Sequence, residues 1–295
     1  MRGPAEVLTD LLLEQASIIV AYIVALLATF AILRWLPRAS ARADQKLWTQ
    51  DMKVDLIFSV IAVPLVFVGL DLIEERWIAP FANSRPWLAS YRAATARLPL
   101  ALQIALAILV KEFFGYWRHR AMHWGPLWKF HAIHHAPEEM DFATSSRFHP
   151  GELLGTWIVA IATTLMLTLP DVATGVLFSI VGIQQLLLHA NLRWTYGRLG
   201  WVINSPAAHR WHHHPDVGRH HNFAVGFLTL FDVLFGTLHL PPGQCPTVAG
   251  IDDRAMPKSF WGLLRFPFAR DEKQTPSSPP VTDEDLDALG RFAGR

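Results

Sequence analysis

The sequence predicts an all-α integral membrane protein of about four to five transmembrane helices with a histidine-rich cytosolic cap. Three observations carry that expectation. Hydrophobic residues make up 52% of the 295-residue chain and charged residues only 17%, where about 25% charged is usual for a soluble domain. The apolar residues are gathered in runs near the ~20 residues that cross a bilayer as a helix. The 14 histidines lie mostly in two stretches outside those runs.

The first run, 11–35, is too long for the apolar part of a signal peptide, and no small-x-small site follows it, so a retained helix is expected. The second, 54–73, contains Pro64, which a membrane helix tolerates when neighbours satisfy the freed carbonyl. The third is 98–117. The stretch 153–188 divides at Pro170-Asp171 into two short helices, expected to form a hairpin. A further apolar stretch, 223–240, is interrupted by Asp232 and Gly236 and is expected to be a helix at the membrane surface or against a site. Beyond Arg270 the chain is polar, with a loose linker over 275–280 and one short capped helix over 282–289. The expected organisation is N-terminal membrane helices over 1–97, a histidine-rich domain over 98–240 and a partly disordered polar tail over 241–295.

With three spans before the first histidine stretch and a hairpin before the second, both stretches face one side of the membrane. Arg34, Arg38, Arg42, Lys46 and Lys53 fall in the first loop. Arg118, Arg120, Lys129, Arg193, Arg198 and Arg210 accompany the histidines. By the positive-inside rule that side is cytoplasmic. A composition rich in Ala, Arg and Pro suggests a bacterial inner membrane. The net charge of +1 gives no basic field for nucleic acid. The single cysteine, Cys245, excludes an intrachain disulfide and a cysteine zinc ribbon.

His119 and His123 are spaced i, i+4, which places both imidazoles on one face of a helix. His131, His134 and His135 form H-x-x-H-H, and His209, His212 and His213 repeat it. His189 stands near the end of the fifth run. Imidazole suits iron, zinc, copper and nickel. Eight or nine such ligands are too many for one ion, so two metals are expected. Neutral imidazoles leave the metal charge uncompensated, and Glu112, Glu152 and Asp232 are the carboxylates placed to offset it or to orient ring N–H groups. His149 is a candidate tenth ligand or hydrogen-bond donor to the site. His214, His220 and His221 read as cap or surface residues and His239 as interfacial. The tryptophans flank the runs as an interfacial belt, with Trp117, Trp124 and Trp211 as candidate walls of the site.

These boxes stand among Tyr116-Trp117-Arg118-His119-Arg120, Trp128-Lys129-Phe130-His131, Arg147-Phe148-His149-Pro150-Gly151-Glu152, His189-Ala190-Asn191, Ser205-Pro206 before His209, and Phe231-Asp232 with Phe235-Gly236-Thr237. The pattern, over about 112–237, resembles the fatty acid hydroxylase and sterol desaturase superfamily. It is closer to the sterol desaturase branch, because Arg193 stands where the superfamily's fatty acid 2-hydroxylases carry a second histidine. Asn191 is then a candidate to hold a metal-bound water.

The resemblance implies a helical membrane fold with a cytosol-facing cap and a non-haem centre of two iron ions, with O2 as co-substrate. It implies hydroxylation or desaturation of a C–H bond in a membrane lipid such as a sterol or fatty acyl lipid. The ligands carried over, which are also the catalytic residues, are His119, His123, His131, His134, His135, His189, His209, His212 and His213. The chain has no dinucleotide, flavin or haem motif, so a separate electron donor of the cytochrome b5 or ferredoxin/reductase type is expected. The alternatives are a zinc-dependent membrane hydrolase and a non-enzymatic metal transporter. No histidine is followed by glutamate, which counts against H-E-x-x-H hydrolases. The clusters lie at helix ends rather than in mid-membrane, which counts against a transporter.

Overall fold

The computed structural model describes residues 40–269, apart from 47, 168 and 252–255, together with 20, 24, 28 and 32. The expected C-terminal helix at 282–289, and all but four residues of the expected first span, lie outside these. Among the described residues the protein is helical, and the only pairing of extended backbone is an isolated bridge between Ile203 and Leu228.

Helix α1, Gln50–Ile73, runs on through a π turn, Glu74–Ile78, into the short α2, Ala79–Asn83. Helix α3, Pro86–Thr95, begins with proline in its first turn, where a missing N–H costs nothing. These two helices fall between the second and third apolar runs, in 74–97, where the sequence reads as a loop. Helix α4, Leu100–Met122, carries the third apolar run and then continues past it by more than a turn, ending at the first histidine pair. After α5, Trp128–His135, a 3-10 turn over Phe142–Ser146 is closed by a capping box between Asp141 and Thr144. The expected hairpin is α6, Pro150–Met166, and α7, Asp171–His189, separated at Pro170. Helix α8, Pro206–His212, is capped by Ser205, whose Oγ accepts the Ala208 N–H at 3.2 Å.

Helix α4 packs against α6 and α7, and α1 packs against α6 and the 3-10 turn. Large apolar side chains lie on the outside of three helices. Leu102, Leu109, Phe113 and Trp117 of α4 point outward, as do Leu154 and Ile158 of α6 and Ile183 of α7. The largest fully buried side chains include Arg210, His135, His189, His212 and His213. Exposed apolar side chains on neighbouring helices, beside a buried polar cluster, suit a lipid environment. By length and composition α4 is the one helix among the described residues able to cross a membrane, and only 28% of its apolar window is buried.

Two expectations change. The stretch 223–240 forms only a five-residue helix, α9, Leu230–Leu234. The Asp232 carboxylate takes the N–H groups of Phe223 and Ala224, and Gly236 sits at φ +68°, so the backbone leaves the helical path on both sides. Part of the expected polar tail, 256–269, is folded against the rest of the protein. Helix α10, Phe260–Arg265, folds back so that Leu263 is buried with Val54, Phe58 and Ile133, behind the second histidine box.

Candidate metal centre

Helices α4, α5, α7 and α8 converge their C-terminal ends, and all nine histidines named above meet there. Candidate ligand atoms of His119, His123, His131, His135 and His212 lie within 4.8 Å of one another, and those of His134, His189, His209 and His213 form a second such group. All nine residues are buried. The groups adjoin, with the rings of His135 and His213 stacked at 4.3 Å between centroids.

The hydrogen bonds decide which nitrogen each ring presents. His119 Nδ1 lies 2.9 Å from the Phe223 carbonyl, His212 Nδ1 2.8 Å from that of His221, His134 Nδ1 3.0 Å from that of Arg147, and His189 Nδ1 2.9 Å from that of Gln185. A carbonyl only accepts, so each Nδ1 carries the proton and each Nε2 is left with a bare lone pair. His131 Nδ1 makes the same contact at 2.9 Å with Glu152 Oε2.

The bare nitrogens then point at one another. His119 Nε2 is 2.9 Å from His131 Nε2 and 3.0 Å from His212 Nε2, and His189 Nε2 is 3.2 Å from His134 Nε2. With both rings of each pair protonated at Nδ1, these contacts hold no hydrogen and set lone pair against lone pair. His123 and His213 have no hydrogen-bond partner at either nitrogen, and His209 has none at Nδ1. Orphaned buried nitrogens converging on two points fit cations, which turn that repulsion into coordination.

Electrostatics favour the ligand form. Burial first, and then the neighbouring imidazoles, hold His123, His131, His135, His209 and His213 well below the ordinary histidine value. His134 moves the same way, against the opposing pull of the Arg147 carbonyl. Burial lowers His212 to about 4, although the His221 carbonyl opposes it. All these rings are therefore neutral at pH 7.

The other sequence candidates lie elsewhere. His149 caps α6: its Nδ1 accepts the Gly151 N–H at 2.9 Å and its Nε2 faces the Leu264 carbonyl at 3.1 Å. Asn191 joins the Arg42 backbone, accepting its N–H at 2.9 Å and donating to its carbonyl at 2.8 Å. Glu112 is buried beside Lys111 Nζ at 3.3 Å and against Gly226. Trp124 is 76% exposed. It is Trp128 that packs on the ligand rings, 5.1 Å from His123 and 5.3 Å from His135.

The sequence analysis missed Asp55, Thr144 and Arg147. Buried Arg147 binds the Asp55 carboxylate, its Nη2 reaches Asp51 Oδ1 at 3.1 Å, and Thr144 Oγ1 donates to Asp55 Oδ2 at 2.8 Å. This cluster fixes the Arg147 carbonyl that orients His134. An aspartate at the start of an apolar run was the available signal.

Residues 104–237 match the fatty acid hydroxylase family, and over that segment the chain is similar to it. Among its relatives is an ornithine lipid hydroxylase of Rhizobium tropici, 30% identical over 58% of this chain and 52% of its own length. An alkylglycerol monooxygenase of Danio rerio is 30% identical over 55% of this chain and 36% of its own. A methylsterol monooxygenase of Aspergillus fumigatus is 30% identical over 42% and 38%. The chain thus spans about half or less of the length of these curated relatives. No solved structure matches it.

Proposed function

We propose that the protein is a membrane-bound, O2-dependent lipid hydroxylase that holds one iron ion in each histidine group. The observation that carries this reading is the pairing of unprotonated Nε2 atoms across His119, His131 and His212 and across His134 and His189. Bound iron supplies the redox chemistry that activates O2 toward a C–H bond. His119, His123, His131, His135 and His212 would hold one ion and His134, His189, His209 and His213 the other.

The protein's own residues do the rest. Phe223, His221, Arg147 and Gln185 hold four rings by their carbonyls, and Glu152 holds His131 while offsetting positive charge. Trp128 covers His123 and His135 and keeps water from that side. The outward apolar faces of α4, α6 and α7 keep the centre beside the acyl layer, so a lipid reaches it without entering water. With the histidine side in the cytoplasm, a soluble donor can reach the cap. One oxygen atom enters the C–H bond and the other leaves as water, using two electrons and two protons from an external carrier of the ferredoxin or cytochrome b5 class.

The relatives direct the substrate search to amphipathic lipids: ornithine lipid, alkylglycerol and methylsterol. The test supplies each to iron-loaded protein with ferredoxin, its reductase and heavy-isotope oxygen gas. Transfer of one heavy oxygen atom into one of these lipids supports the reading. Release of a hydrolysed lipid without oxygen incorporation overturns it.

A further inference from the structure

We infer that Asp232 and Asn222 are positioning residues for the five-histidine group alone. The inference rests on the two-iron reading above. Both residues act on segment 221–224, whose carbonyls at His221 and Phe223 take the Nδ1 protons of His212 and His119. These two rings belong to the five-histidine group and not to the other.

Asp232 is fully buried and uses both oxygens. Its Oδ1 accepts the Phe223 N–H at 2.7 Å and the Thr237 hydroxyl at 2.7 Å, and its Oδ2 accepts the Ala224 N–H at 2.8 Å. Having donated to Asp232, Thr237 Oγ1 accepts from Tyr116 OH at 2.9 Å, on the same helix as His119 and one turn before it. Asn222 holds the preceding residue. It adopts φ 59°, a left-handed conformation that asparagine tolerates better than most residues. Its Nδ2 donates to the Ala208 carbonyl on α8 and to the His239 carbonyl, each at 2.8 Å. Its Oδ1 accepts the His239 N–H at 2.6 Å.

The segment is therefore tied to α4, which carries His119, and to α8, which carries His212 and also His209 of the other group. Its carbonyls fix the tautomer and tilt of both rings. The four-histidine group takes its fixed carbonyls from Arg147 and Gln185 instead. Loosening 221–224 weakens one metal position and spares the other.

The test titrates metal-free protein in detergent with Co2+ and follows its absorption, which reports each occupied position separately. Wild type is expected to take up two ions. Asp232→Ala is expected to weaken one of the two binding steps by about 10- to 100-fold, the usual effect of removing an outer partner of a metal ligand. The other step stays within about threefold. Thr237→Val, which keeps the carboxylate and removes one hydrogen bond, shifts the same step by less and guards against a variant that fails to fold. Equal weakening of both steps, or no change in either, overturns the inference. A wild-type protein that takes up a single ion fails the two-iron reading itself, and that failure is visible before any variant is made.

Discussion

The Nε2 atoms of His119 and His131 stand 2.9 Å apart, and each ring gives its Nδ1 proton to an oxygen on the far side. The contact is unfavourable until a cation binds both nitrogens. The same holds for His119 with His212 and for His134 with His189. The behaviour of the protein follows from which residues share in this arrangement and which only border it.

His212 and His149 separate the two cases. His212→Ala removes a ring from the five-histidine group and is expected to abolish turnover while the protein still inserts in the membrane. His149→Asn keeps a side-chain oxygen to cap α6 and is expected to retain full metal content, with a stability loss of no more than about 1 kcal/mol. Metal analysis and thermal unfolding in detergent check both.

Glu152 bonds His131 and lies 3.9 Å from the Arg118 guanidinium. Glu152→Gln leaves an oxygen for the ring proton but can no longer ionise when a cation binds beside it. Metal affinity of the five-histidine group is expected to fall by about 10-fold or more, measured by competition with a chelator at pH 7.

Acid should destabilise the metal-free protein. Burial lowers His212 to about 4 in the folded state, against 6.5 for the free side chain. Between those values the unfolded chain binds the additional proton, so stability rises with pH and is lost as pH falls from 6.5 toward 4. Each such histidine contributes a slope of up to about 1.4 kcal/mol per pH unit within its window. Unfolding temperature across pH 4–8 is the measurement, and a flat profile would contradict the buried, neutral rings.

Arg147 is the cation facing Asp55, and both are buried. Arg147→Met leaves the carboxylate unpaired and is expected to cost about 3–5 kcal/mol. Adding Asp55→Leu should recover part of that loss, which a double-mutant cycle would quantify.

Much of this was legible in the sequence. The i, i+4 pair and the two H-x-x-H-H boxes name eight of the nine grouped histidines, because helical spacing alone sets which rings share a face. The apolar runs locate α4, α6 and α7, although α4 extends more than a turn beyond its run to carry the first histidine pair. What could not be read is carried by the backbone. Side-chain pattern says nothing about the Phe223 and His221 carbonyls, and they decide two tautomers. The stretch 223–240 has a helix's composition, yet Asp232 binds two N–H groups that a helix would have used. Glu112 lies two turns before His119, but α4 turns it toward Gly226, whose missing side chain makes the room: a Cβ there would sit 2.1 Å from Glu112 Oε1.

The most direct test of the centre is the metal content of protein purified in mild detergent from iron-supplemented cells. The account predicts about two iron ions per chain, with content reduced in His131→Ala and unchanged in His149→Asn. A single zinc ion per chain, with no iron taken up under reducing conditions, would contradict it.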